Sequence, residues 1–385
     1  MEDMDVDHLL TVSFNQDAKS LAVGHADGYN LYMVSDVLDN NFGAPQNRDT
    51  SSYLREAVIV ERLFLSSLII VVSQKDRRVL HVYHTSTKEI IVDLKFNKPI
   101  LNAKLNRERL VVCLDEVISI YSLKEMKLLH SIVDTPVNRL GLVDLSACNN
   151  AYLAYPGETD SGNVNIFDAQ NLQSVNNFAA HDAPLAAIKF NAEGTLLATA
   201  STKGTVIRVF SVPQQGTKLF EFRRGMSRCV TIHSLAFSCD SSYLCSSSNT
   251  ETVHVFKLEK QPEAEREPAS DNSWFGYLTQ AASSYLPTQV NELITVERSF
   301  ATARLPGSEK KNIAAMPTIN GQTYLLVATT DGFLYCYKVE PDGGECNLVK
   351  QQRIGPRADM STMNPDLSAH HAVLENNSLS TDDLW

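Results

Sequence analysis

Positive charge is in deficit in this sequence: 34 Lys and Arg stand against 45 Asp and Glu, a formal net charge of −11. Generic nucleic-acid binding needs a broad positive potential, so that class is excluded, as is attraction of the whole surface to an anionic bilayer. An anionic ligand would have to be held by a local patch. Cysteine is sparse as well, seven in 385 residues, with no Cys-x-x-Cys pair and no Cys/His array at zinc spacing. Neither a metal site nor a disulfide framework is expected. The opening MEDMDVDHLL lacks the basic and apolar blocks of a signal peptide, and the best apolar run, 63–72, is too short to span a bilayer. These absences predict a cytoplasmic protein whose contact with any membrane is peripheral. Gly-x-Ser-x-Gly, P-loop and His-Glu-x-x-His signatures are all missing, so neither an enzyme nor a cofactor is expected. There are no amphipathic helices between apolar segments, which argues against a TIM barrel or a doubly wound sheet.

What the chain does have is a repeat. Short apolar strands ending in an aromatic recur at 28–32, 79–83, 117–121, 164–167, 206–210, 253–256 and 333–337. Their final aromatics are Tyr32, Tyr83, Tyr121, Phe167, Phe210, Phe256 and Tyr337, and the first five steps between them are 51, 38, 46, 43 and 46 residues. That spacing matches a four-stranded propeller blade of about 40–45 residues. The last step, 81 residues, leaves room for an insertion of roughly 35–40 beyond one ordinary blade. The expectation is an all-β, seven-bladed WD40-like β-propeller over residues 1–350, with a long insertion in the sixth blade at about 260–300. Residues 351–385 are rich in Ser, Asn and Asp and are expected to be a disordered tail.

The insertion opens with a charged run, 259–268, and then changes character. Trp274, Phe275, Tyr277, Leu278, Ala281, Ala282, Tyr285 and Leu286 fall on one face of a helix that Pro287 would stop. Periodicity alone leaves two readings open. The face docks back on the propeller, or it enters a membrane interface, where Trp and Tyr are favoured.

The densest positive charge is in 218–228, KLFEFRRGMSR. In an extended strand Phe220 and Phe222 point one way while Arg223 and Arg224 diverge, so the adjacent arginines serve two places. Guanidinium groups suit phosphate oxygens, and Gly225 frees the turn. Hydroxyl-rich turns flank this stretch on the neighbouring repeats: Thr199, Ser201, Thr202 and Thr205 before Arg208, and Ser246, Ser247, Ser248, Thr250 and Thr252 before His254. Arg208 and His254 are equivalent in the repeat. Asn30, His81, Ser119, Asn165 and Tyr335 hold the same position elsewhere, so a polar residue there means little alone. Protonation of His181 or His254 would favour an anion, which predicts stronger binding in mild acid.

The Phe222-Arg223-Arg224-Gly225 motif in this setting resembles the PROPPIN family of phosphoinositide-binding β-propellers, most closely its WIPI autophagy members, over nearly the whole propeller. The resemblance implies two rim sites for phosphatidylinositol 3-phosphate and phosphatidylinositol 3,5-bisphosphate. Carried over by position, the first would use His181, Ser201, Thr205, Arg208 and Arg223, and the second Arg224, Arg228, Ser248, Thr252 and His254. It places a membrane-inserting loop in the sixth blade, where the amphipathic insertion lies. It also implies recruitment of the scaffold subunit of the autophagy ubiquitin-like lipidation complex through basic residues on the second and third blades, here Arg107 and Lys127. The implied role is a peripheral effector recruited to preautophagosomal and endosomal membranes. A purely protein-binding WD-repeat scaffold is the alternative.

Overall fold

The computed structural model describes residues 9–356, apart from 40, 41, 43, 134, 226–228, 260–298 and 308–310. Runs such as Leu68–Ser73 and Arg109–Cys113 are β-branched or apolar except for Ser73 and Arg109, and almost wholly buried, the composition of strands covered on both faces. Seven sheets follow one another along the chain, each built on four antiparallel strands in sequence order; Gly344–Glu345 adds a short parallel strand to the sixth and Thr318–Ile319 a short antiparallel one to the seventh. The first blade is Thr11–Phe14, Ser20–His25, Gly28–Met33 and Asn47–Asp49. The fifth is Leu185–Phe190, Leu196–Ser201, Val206–Ser211 and Thr217–Arg223, and the sixth Ile232–Phe237, Tyr243–Ser248, Thr252–Lys257 and Ala301–Arg304. The seventh is Asn312–Ala315, Gln322–Thr329, Phe333–Lys338 and Asn347–Arg353. Its outer strand carries the propeller a few residues past the expected end at 350.

The recurring aromatics sit on the third strand of each blade, and packing explains their period. Seven apolar clusters fill the seven spaces between neighbouring blades, and each contains or is packed by one of these rings. Tyr32 lies between blades seven and one, Phe210 between four and five, and Phe256 between five and six. A residue two positions earlier faces the same cleft, because side chains alternate along a strand. The inner strands ring a central channel of about 510 Å³. Its charges are paired, Lys104 with Glu61 and Lys189 with Asp144 at 3.0 Å, so the channel offers no surplus cation to an anion.

Among the described residues no sheet joins the seventh blade to the first. That seam is closed instead by a shared apolar cluster and by a few hydrogen bonds. The Leu9 N–H donates to Thr330 O at 3.0 Å, the Gly355 N–H to the Tyr32 hydroxyl at 2.8 Å, and Gln352 Nε2 to Asp39 O at 3.3 Å. Residues 260–298, and with them Trp274, Phe275, Tyr277, Leu278, Tyr285 and Leu286, lie outside the described residues, as does 357–385.

Candidate anion clefts on the rim of blades four to six

The basic stretch forms the end of the outer strand of blade five, Thr217–Arg223. Phe222 is 1% exposed and stacks on Phe256 of blade six at 4.7 Å and on Phe220 at 5.8 Å. Alternation then turns Glu221 and Arg223 to the opposite face, towards blade four. Arg224, just past the strand, reaches the other way. Its Nη2 donates to Ser248 Oγ of blade six at 3.0 Å and to Thr250 Oγ1, while its backbone N–H donates to Thr205 O at 3.0 Å. The neighbouring arginines therefore enter two different clefts, as the strand reading expects.

In the cleft between blades four and five, Arg208 lies opposite Thr199 on one side and Glu221 on the other. Its Nε donates to Glu221 Oε2 at 2.8 Å and its Nη1 to Ala180 O of blade four at 2.7 Å. Burial pushes the Glu221 carboxyl up, but hydrogen bonds from Lys218 and Arg208 outweigh it and hold the group below its ordinary value. His181 Nε2 lies 2.9 Å from Thr199 Oγ1. Burial first, and the Arg208 charge second, lower the His181 pKa to about 4. Ser201 is buried beside this set and Thr205 is half-buried at the turn. Arg223 pairs in register with Val206, two residues from Arg208, and its buried Nε has no hydrogen-bond partner.

The cleft between blades five and six repeats the arrangement with different side chains. His254 lies opposite Ser246, with the buried hydroxyl of Ser248 and half-buried Thr252 nearby. Ser248 Oγ and Thr250 Oγ1 are 3.0 Å apart, so both hydroxyls converge on Arg224. Burial, then the Arg224 charge, lower the His254 pKa to about 4. His254 Nδ1 and Arg224 Nε are buried without hydrogen-bond partners. Met226, Ser227 and Arg228 lie outside the described residues.

Buried polar atoms are nearly always hydrogen-bonded, so orphaned donors at Arg223 and Arg224 mark places where a ligand could accept. The hard acceptors that suit a guanidinium are phosphate and carboxylate oxygens. The equivalent position on blade two is a useful contrast: His81 Nδ1 sits 2.7 Å from Asp93 Oδ1 across its own hairpin and is satisfied there. Sequence reading missed Glu221, and it named Thr250 in the hydroxyl-rich turn without placing it in the site. Glu221 stood inside the basic stretch, and the register of the hairpin with Arg208 was the signal for it.

Gly204 shapes the turn between Ser201 and Thr205. It has φ +64°, and a Cβ there would lie 2.0 Å from Val230 O. Gly204→Ala is expected to lower stability by about 1–3 kcal/mol and to displace Thr205, which a urea titration would read.

The other basic candidates sit elsewhere. Arg107 and Lys127 both belong to the third blade, in the hairpins on either side of Arg109–Cys113 and Ile118–Ser122, rather than to two blades. Arg107 reaches the second blade by lying over the Phe64 ring at 3.8 Å, and Lys127 pairs with Glu125 at 3.2 Å. A Lys124–Glu108 contact at 3.1 Å ties the two hairpins together.

Comparison with known proteins gives a consistent result. The PROPPIN family model matches residues 8–354. Autophagy-related protein 18 of Caenorhabditis elegans is 52% identical over 367 residues, 93% of this chain and 89% of that one. Human WD repeat domain phosphoinositide-interacting protein 1 is 50% identical over 343 residues, 88% of this chain and 75% of that one. Among solved structures, the complex of KlAtg21 with the coiled coil of AgAtg16 matches at TM-score 0.70 and 26% identity, covering 90% of this chain and 100% of that one.

Proposed function

The chain belongs to the PROPPIN family, and from that premise we propose that it is a peripheral membrane effector acting in autophagosome formation. It binds phosphatidylinositol 3-phosphate and phosphatidylinositol 3,5-bisphosphate through the two rim clefts. The family is non-enzymatic, and the role is one of recognition. The observation that carries the reading is the divergence of Arg223 and Arg224 into separate clefts, each leaving a buried Nε unpartnered. Names of the relatives support the ligand class, a phosphoinositide, and the process, autophagy.

Orientation follows from where the parts sit. Both clefts open at the end of the rim where Ser201–Val206 and Ser248–Thr252 turn, while the insertion leaves the third strand of blade six after Lys257, at its other end. A six-residue strand spans about 20 Å, so one bilayer meets the clefts and the insertion together only if the propeller stands on its edge. Each contact then raises the effective concentration of the next, and Trp274, Phe275, Tyr277, Leu278, Tyr285 and Leu286 add apolar area. The bound propeller recruits the lipidation machinery, with the third-blade surface around Arg107 and Lys127 as the docking candidate. The solved complex of KlAtg21 with a coiled coil supports a partner of that kind.

Vesicle flotation tests this. The wild-type chain should float with vesicles carrying phosphatidylinositol 3-phosphate and not with phosphatidylinositol alone. Arg223→Thr/Arg224→Thr should bind at least tenfold more weakly while melting like the wild type, and Trp274→Ser/Phe275→Ser should float less at equal lipid. A wild-type chain that stays down at every lipid density would make it a protein-binding scaffold.

A further inference from the structure

The two clefts are built from one repeated blade, so their members can be matched position by position. Arg208 of blade five corresponds to His254 of blade six, each two residues before the cleft aromatic. Along the outer strands the match continues: Glu221 opposes Arg208, and Thr302 opposes His254. Two residues further, Arg223 opposes Val206, and Arg304 opposes Thr252. Arg304 is therefore the blade-six counterpart of Arg223. Its face is fixed by its neighbours. Ala301 and Ala303 are buried in the cluster shared with blade seven, so Thr302 and Arg304 lie on the other face, with His254 and Phe256, towards blade five. The Arg304 side chain is exposed at this rim, and no carboxylate pairs with it among the described residues.

We propose that Arg304 is a further binding residue of the blade five–six cleft, and that with Arg224 it makes this the cleft that takes a headgroup carrying two phosphates. The inference rests on the phosphoinositide reading above and deepens it. Charge separates the two clefts. In the first, Arg208 is already engaged by Glu221 at 2.8 Å, which leaves Arg223 as the guanidinium not held by a carboxylate. In the second, threonine replaces that glutamate, and neither Arg224 nor Arg304 is held by a carboxylate among the described residues. Directly opposed residues stand about 5 Å apart and diagonal neighbours about 7–8 Å, within the reach of an arginine. A phosphate lodged on Arg224, Ser248 and His254 thus leaves Arg304 beside Thr252 for a second phosphate on the same ring. A guanidinium fork serves each one.

The test isolates each cleft in the full chain: Arg223→Thr leaves the second working, Arg224→Thr the first. Binding is titrated with vesicles bearing phosphatidylinositol 3-phosphate or 3,5-bisphosphate, and separately with soluble inositol 1,3-bisphosphate and 1,3,5-trisphosphate, which tell a lipid requirement from free headgroup recognition. In the Arg223→Thr background, Arg304→Gln should weaken the more phosphorylated ligand about tenfold and the less phosphorylated one about threefold or less. In the Arg224→Thr background it should change neither. Thr302→Glu, which recreates the carboxylate of the first cleft, should reproduce the selective loss. Equal affinities with and without Arg304 in the Arg223→Thr background would overturn the assignment while leaving the two-cleft reading intact. Failure of the wild type to bind any of these vesicles would overturn both.

Discussion

Truncating Phe222 to alanine should lower the stability of the propeller by about 3–5 kcal/mol, the usual range for removing a buried aromatic ring. The ring is 1% exposed, packs between Phe220 and Phe256, and belongs to the cluster that joins blades five and six. Loss of the ring leaves a cavity that the strand, held by its ladder to Val206–Ser211, cannot fully collapse to fill. Equilibrium denaturation should show a lower midpoint at unchanged slope. Phe220→Ala, partly buried at the edge of the same cluster, should cost less. Because Phe222 fixes the strand from which Arg223 and Arg224 diverge, phosphoinositide binding at both clefts should fall as well, even where the variant is still folded. A variant with wild-type stability would mean that the aromatic stack does not hold these blades together.

Acid should unfold the protein over a window set by its histidines. His181 and His254 are lowered to about 4 by burial and by the arginines beside them, whereas a histidine in the unfolded chain titrates near 6.5. Between those values the unfolded state binds more protons, so stability is complete above pH 6.5 and drains away as pH falls towards 4. Each histidine contributes about 3 kcal/mol over that range. Burial lowers His25 and His233 too, adding in the same direction. Melts at pH 7, 5.5 and 4 should show the decline, and His181→Gln/His254→Gln should flatten part of it. Identical pH profiles for the variant and the wild type would rule these two residues out as the source. The same shifts bear on the expectation of tighter binding in mild acid. In the free protein both histidines stay neutral down to about pH 4, so binding should be level between pH 8 and 7. It should tighten only below the value to which a bound phosphate lifts them.

The fold was legible because the third strand of every blade ends in an aromatic that fills one inter-blade space, a demand that packing repeats seven times. Outer strands were harder to read. Leu128–Ile132 is mostly exposed or half-exposed, and the outer strand of blade six returns only after the long insertion. That gap is why Arg304 was not recognised: its pairing with Thr252 depends on a register that nothing local announces. Arg223 and Arg224 were readable because period-two alternation alone sends neighbours to opposite faces. Glu221 was not, since a carboxylate among cations reads as surface balance until the hairpin places it on Arg208.

The seam between the first and seventh blades has a mechanical consequence. Among the described residues the two ends of the ring meet without a shared strand, as in a split washer, and tension between the two ends of the propeller would load that joint first. The apolar contacts and few hydrogen bonds there would give way by peeling, while the sheets on either side stayed whole. The blade four–five cleft lies almost diametrically across from the split. A tug on the two ends of the propeller would therefore open the ring at the joint before it disturbed the arc that carries the two clefts.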